Sequence, residues 1–162
     1  IDRRPMAGCG MSILCTFPGQ GAQKAGMLHA LPKHAETERT LREASEVLGR
    51  DVLELDSAAA LASTVPVQLC LLIAGVAMAR VLADRLQQKT GQTVLVENRA
   101  GANGMVGAEH VSRAAADGSV LLFASPAEIV ISPSAYKSMR YDPARDLAPV
   151  TLAGMTPLML VA

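Results

Sequence analysis

Short apolar runs alternate along the chain with longer segments that have helical periodicity. Residues 12–17, 93–97 and 120–124 are compact apolar runs, which is typical of buried strands. Helical spacing marks residues 33–49 and 105–116, and Gly49 is a suitable residue to end the first of these helices. Strands that alternate with helices in this way predict an α/β fold with parallel strands.

A long helix is predicted from Val65 to about Lys89, with Ser63 as a candidate N-cap and Pro66 in the first turn. Its sequence is almost wholly apolar up to Ala79 and amphipathic afterwards. The longest uninterrupted apolar stretch, residues 69–79, is about half of the roughly 20 residues that a membrane helix needs. We therefore expect a buried helix and no membrane span, and we place a join between two segments near residue 82.

Composition and charge exclude several classes of function. Half of the residues are apolar, which is typical of a globular chain. Basic and acidic residues balance eight to eight up to residue 82 and seven to seven after it, so nucleic acid is not an expected partner. The three cysteines, Cys9, Cys15 and Cys70, lack CxxC spacing and are interpreted as free thiols. No metal is predicted, because CxxC spacing is absent. No cofactor is predicted, because residues 101–104 lack the spacing of a nucleotide-binding turn.

The first ten residues show no signal-peptide pattern, and we interpret them as a leader or read-through segment. On that basis a cytoplasmic location is expected for the sequence as written. Directly after the first predicted strand come residues 16–23, Thr-Phe-Pro-Gly-Gln-Gly-Ala-Gln. The backbone N–H groups of such a glycine-rich turn can stabilise an oxyanion, although ordinary turn chemistry explains the same residues.

Together with Gly26-Met27 and residues 67–72, this motif resembles the malonyl-CoA:acyl-carrier-protein transacylases, and most closely the epsilon subunits of malonate decarboxylase. The resemblance covers about residues 11–82. It implies an acyltransferase-like piece in which the backbone N–H of Gln20 contributes to an oxyanion hole and Gln68 lines the active site. It also implies an acyl carrier protein as a possible partner.

The acyltransferase chemistry needs a serine on a Gly-x-Ser-x-Gly elbow and a histidine base. No such elbow occurs in the chain, and His29, His34 and His110 are interpreted as solvated or packed side chains. We therefore expect no enzymatic activity from the chain on its own.

A second set of matching residues begins near Ala83 and comprises residues 82–86, 96–102, 107–109, 115–118, 133–134 and 141–151. Together they resemble a different family, the Bug receptors of tripartite tricarboxylate transporters. This resemblance implies a periplasmic-binding-protein type II-like piece that binds a small carboxylate, malonate or tricarboxylate-like, through loop amides and hydroxyls. It makes Ser125 and Ala127 candidate ligand-binding residues. Glu128, next to this supposed anion site, would repel an anion unless its side chain points away.

The sequence therefore predicts two partial α/β units joined through a long helix, with a leader at 1–10, an acyltransferase-like segment at 11–82 and a solute-receptor-like segment at 83–162. The favoured function is an incomplete solute-binding segment fused to a transacylase fragment. The alternatives are a transacylase fragment without its nucleophile and a chain without specific activity, in which open sheet edges promote association.

Overall fold

Three parallel strands form one sheet that draws on both predicted segments. A computed structural model describes residues 11–15, 23–99 and 101–152. Strand β1 spans Met11–Cys15, β2 spans Val94–Asn98 and β3 spans Val120–Phe123, and their order in the sheet is β2-β1-β3. In the central strand Ile13 pairs with Val96 on one side and Leu121 on the other. The three predicted strands and their parallel arrangement are confirmed, and the fold is of the α/β kind.

The longest helix lies between β1 and β2 and is more than twice as long as a strand of the sheet. Helix α1 spans Ala35–Leu48, and helix α2 spans Thr64–Thr90, which is 27 residues. At 1.5 Å per residue α2 is about 40 Å long, whereas a five-residue strand spans about 17 Å. Because α2 ends at Gly91, next to the start of β2, its first half extends past the carboxyl edge of the sheet.

The described residues form two hydrophobic clusters, and α2 contributes to both of them. The first cluster lies between the sheet and the second half of α2, and its buried members are Ile13, Ala79, Ala83 and Val94. The second lies under α1 and the first half of α2, and its buried members are Leu28, Val52, Leu55, Cys70 and Ile73. Cys70 is a free, buried thiol, as predicted.

Helix α1 packs against α2 through a small polar network. Arg80 Nη1 of α2 donates to Thr40 Oγ1 at 3.0 Å and to Glu43 Oε2 at 2.7 Å. The Nδ1 atom of His34 accepts a hydrogen bond of 3.2 Å from the backbone N–H of Glu36, and so His34 caps the start of α1. These contacts fix the position of α1 along α2.

One face of α1 differs from its prediction. Helical spacing in the sequence puts Leu41, Ala44, Val47 and Leu48 on one side of α1, but of these four only Leu41 and Ala44 pack against the second cluster. The side chain of Val47 is 86% exposed, although it lies on the same side of α1. Gly49, with φ of +65°, ends the helix as predicted.

Short helices make up the other connections. Two 3-10 helices, Val52–Asp56 and Ala60–Ala62, join α1 to α2. A 3-10 turn and helix α3, Met105–Ser112, lie between β2 and β3. After β3 a π-helical turn, Ala127–Ile131, continues directly into α4, Ser132–Ala135, and α5 spans Pro143–Asp146. The final apolar run of the sequence, residues 158–161, is typical of a strand and lies outside the described residues, as do the first ten residues and residues 16–22 of the glycine-rich segment.

Helix α2 is, among the described residues, the one helix long and apolar enough to cross a membrane by length and composition. Within the chain 33% of its most apolar window is buried, and the core helices of soluble proteins meet the same criteria. The expected absence of a membrane span therefore stays a prediction.

Candidate functional site

The order of the strands identifies one edge of the sheet as the place for a binding site. The chain passes from central β1 outward to β2 and then crosses to β3 on the other side of β1. In open α/β sheets, ligands bind outside the carboxyl ends of the strands where the direction of winding reverses. That point lies between the ends of β1 and β3, so the loop that starts at Ala124 is a candidate ligand loop.

Ser125 lies in this loop and binds a carboxylate of the chain itself. Its Oγ donates to Glu128 Oε2 at 2.5 Å, and its backbone N–H donates to Glu128 Oε1 at 3.3 Å. The same hydroxyl oxygen accepts a bond of 3.3 Å from the backbone N–H of Ala127. Ser125 is 9% exposed and Glu128 is 1% exposed. Glu128 therefore points into the protein, toward the residue predicted to bind the ligand.

The Ser125–Glu128 pair has the spacing of a helix capping box, in which Ser and Glu three residues apart satisfy the first backbone N–H groups of a helix. Pro126 fits this arrangement because its missing N–H would have no partner in the first turn. Tyr141 also binds this pair, because its hydroxyl donates to the backbone oxygen of Glu128 at 2.7 Å. The loop after β3 is thus held by the bonds between Ser125 and Glu128 and by the bond from Tyr141.

Burial raises the pKa of two ionisable groups at this loop. The pKa of Glu128 is raised because burial disfavours the carboxylate more strongly than the hydrogen bonds from Ser125 favour it. The pKa of Tyr141 is also raised, first by burial and then by the nearby charge of Glu128. A buried carboxylate and a buried phenol therefore lie at the edge where the topology predicts a ligand.

The loop after β2 reaches the same edge and has an unusual backbone. Gly101, Ala102 and Gly104 have φ values of +127°, +46° and +84°. Alanine is rarely found at positive φ, so the position of Ala102 is strained. Arg99 Nη2 pairs with Glu97 Oε1 at 2.7 Å and holds the end of β2.

The structure describes three of the four predicted site residues. Gln20 falls in the glycine-rich turn, outside the described residues. Gln68 is exposed in the second turn of α2, in the half that extends past the sheet. Ser125 and Ala127 lie together at the end of β3, bonded to each other. Sequence analysis missed the pairing of Ser125 with Glu128, although the Ser-x-x-Glu spacing before an apolar run is its usual signal.

The histidines of the first segment have structural partners. His29 Nδ1 lies 3.1 Å from Asp56, which also accepts a bond of 2.8 Å from the backbone N–H of Leu28. Burial favours the neutral form of Asp56, but these bonds and the one from the His29 backbone outweigh burial and lower its pKa. His34 Nε2 contacts Asp84 at 3.3 Å. Within the described residues no group of three or more His, Cys, Asp or Glu side chains could hold a metal ion.

A second concave region lies between α1 and α2. It is an apolar cavity of about 290 Å³ that is lined in part by Val47, and the paired side chains of Arg80 and Glu43 also line it. The remaining lining comes mainly from the apolar side chains Ala44, Leu48, Leu69, Leu72, Ile73 and Val76. Asn98 at the end of β2 also lines this cavity, which shares no lining residue with the loop after β3.

Comparison with known proteins finds relatives for the second half of the chain. Residues 78–162 match the model of a family described as the tripartite tricarboxylate transporter family receptor. Protein BugT of Bordetella pertussis is 46% identical over 85 residues, which is 52% of this chain and 26% of that protein. A UPF0065 protein of Bordetella bronchiseptica is 39% identical over 82 residues, 51% of this chain and 24% of that protein.

A further UPF0065 protein, from the tcbD-tcbE intergenic region of a Pseudomonas species, is 36% identical over 85 residues, 52% of this chain and 25% of that protein. The chain thus spans about a quarter of the length of the curated relatives it matches. No solved structure matches the chain.

Proposed function

Because this chain belongs to the family of tripartite tricarboxylate transporter receptors, we propose that residues 78–162 are part of a lobe that binds a small carboxylate. The observation that carries the proposal is the loop after β3, where the hydroxyl and amide of Ser125 already hold a carboxylate group. That loop lies at the edge where ligands bind in open α/β sheets. Ser125 and Ala127 are the proposed ligand contacts.

The strength of the proposed binding follows from how much of a cleft the chain supplies. A two-lobed cleft surrounds its ligand, whereas one edge of a sheet offers donors from a few loops. We expect a dissociation constant of about 1 mM or weaker, equivalent to roughly −4 kcal/mol. A receptor of this family works in the periplasm, so family membership does not support the cytoplasmic prediction.

A titration of the isotope-labelled chain with citrate, followed by ¹⁵N NMR, tests the proposal. Backbone amides of the loop after β3, including Ala124 and Ala127, should shift progressively with citrate. Thr93 and Ser119, whose backbone oxygens accept from β1 at the opposite edge, are the internal control and should not shift. Shifts spread evenly over both edges, or none at 20-fold excess over the expected constant of about 1 mM, would contradict the proposal.

We propose further that the join between two ancestral segments lies within α2, near residue 82, which gives segments 11–82 and 83–162. The start of the family match at residue 78 supports this division. The same division is supported by the packing of α2, which contributes Ala74 to the second hydrophobic cluster and Ala79 to the first.

A second candidate function is a transacylase fragment without its nucleophile, with Gln20 and Gln68 near the acyl group. It is supported by the exposure of Gln68 on the half of α2 that extends past the carboxyl edge, the edge at which β1 leads into the glycine-rich turn. Incubation with radiolabelled malonyl-CoA, with and without acyl carrier protein, tests it. We expect no stable acyl group on this chain, and a labelled serine would instead favour the acyltransferase function.

A further inference from the structure

The donors that the proposed function assigns to a ligand are occupied by Glu128. A serine hydroxyl has one proton to donate, and that proton is used in the bond of 2.5 Å from Ser125 Oγ to Glu128 Oε2. The backbone N–H of Ser125 is used in the bond to Oε1. Neither donor is therefore available to a second carboxylate while Glu128 stays in place.

Helix capping explains part of this geometry but not all of it. In a capping box the glutamate accepts from the serine backbone N–H, and the serine oxygen accepts from a backbone N–H in the first helical turn. Here the hydroxyl in addition donates to the glutamate, so that both carboxylate oxygens are bound by one residue. Two-point binding of a carboxylate by an amide and a hydroxyl is the chemistry that a carboxylate ligand needs at this edge.

We propose that Glu128 is an internal carboxylate that occupies a carboxylate-binding site formed by Ser125, so that a ligand carboxylate binds Ser125 only when Glu128 leaves. The ligand class, a small carboxylate, rests on the proposed function. The occupied donors themselves rest on the geometry alone. The bond from Tyr141 is made to the backbone oxygen of Glu128 and not to its carboxylate, so displacement of the carboxylate does not require that this bond break.

The test is to remove the internal carboxylate and offer a free one. Glu128→Ala deletes the carboxylate and leaves both Ser125 donors beside a small cavity. Acetate should then bind at least about tenfold more tightly to this variant than to the unmodified chain, a difference of roughly 1.4 kcal/mol. The readouts are a dose-dependent rise in melting temperature and a shift of the Ser125 amide. Sodium chloride at equal ionic strength is the solvent control, and the double variant Glu128→Ala with Ser125→Ala should show neither effect.

A second variant covers the case in which Glu128→Ala does not fold. Glu128→Gln keeps the side-chain volume, but its neutral amide competes less strongly than a carboxylate for the two donors. Acetate should bind it several-fold more tightly than it binds the unmodified chain. Equal acetate binding by the variant and the unmodified chain would show that Glu128 is a helix cap only, and the inference would be wrong.

The citrate titration separates this inference from the receptor function. Acetate binding by Glu128→Ala, together with no citrate binding by the unmodified chain, supports the internal carboxylate and removes only the receptor proposal. Citrate binding that leaves the Ser125 amide of the unmodified chain in place, with no acetate binding by Glu128→Ala, overturns the internal carboxylate and keeps the receptor proposal.

Discussion

Replacement of Ile13 by alanine tests whether the two hydrophobic clusters unfold as one unit. Ile13 is 0% exposed in the central strand, between β2 and β3. The change removes three carbon atoms, worth about 2.4 kcal/mol in transfer free energy, and leaves a cavity whose walls relax only partly. The expected loss is about 2–5 kcal/mol, a large part of the 5–15 kcal/mol that stabilises a typical domain.

The thiol of Cys70 reports on the other cluster. Cys70 is 0% exposed and packs in the second cluster, while Ile13 belongs to the first. The assay is slow alkylation with N-ethylmaleimide under native conditions, followed by peptide mapping, which separates Cys70 from Cys9 and Cys15. If labelling needs global unfolding, a loss of about 2–5 kcal/mol should raise the labelling rate by about 30-fold to 5,000-fold.

An exposed site in the neighbouring strand is the matched control. Leu95 of β2 is 62% exposed, so Leu95→Ala should change stability by less than about 0.5 kcal/mol and leave Cys70 labelling unchanged. The reasoning is refuted if Ile13→Ala weakens the sheet, as seen by circular dichroism in urea, while the labelling of Cys70 stays constant. In that case α2 does not couple the two clusters.

Three further predictions follow from single side chains. The pKa of Asp56 is lowered in the folded state, so its contribution is present above about pH 3.9 and is lost as pH falls through the folded value. Asp56→Asn should therefore flatten the fall in melting temperature between pH 5 and pH 3, and should cost about 1–3 kcal/mol at pH 7 in urea unfolding. Glu128 has the opposite sign because its pKa is raised: stability is full below about pH 4.3 and declines as pH rises through the folded value, and Glu128→Gln should abolish that decline. Tyr141→Phe removes the donor to a buried backbone oxygen and should cost about 1–2 kcal/mol, and an unchanged urea midpoint would contradict that bond.

Local sequence patterns were sufficient for most of the secondary structure. The apolar runs mark all three described strands, and the positive φ that a helix end requires explains why Gly49 was a reliable stop. The length of α2 could be predicted because no proline follows Pro66 before Gly91. Each of these signals depends on residues that are neighbours in sequence.

Features that depend on distant partners could not be predicted in this way. Helical spacing placed Val47 on the apolar side of α1, but its side chain is 86% exposed, because periodicity alone does not show which part of that side another element covers. The spacing of Ser125 and Glu128 is visible in the sequence, whereas the bond from Tyr141 to the backbone oxygen of Glu128 joins residues 13 positions apart. The pairing of Ser125 with Glu128 was therefore missed, and Ser125 and Ala127 stay proposed ligand contacts.

The central position of β1 shows why family membership and binding competence are separate questions here. The family match begins at residue 78, yet the strand between β2 and β3 is supplied by Met11–Cys15. A central parallel strand must be apolar and pair through its backbone, and the side chains of Ile13 and Leu14 meet the first requirement with 0% and 1% exposure. Sheet formation is thus tolerant of the sequence of this strand, provided that it is apolar. Ligand binding is not equally tolerant, because it depends on the donors of the loops that follow the strands, and in the loop after β3 those donors are bound by Glu128.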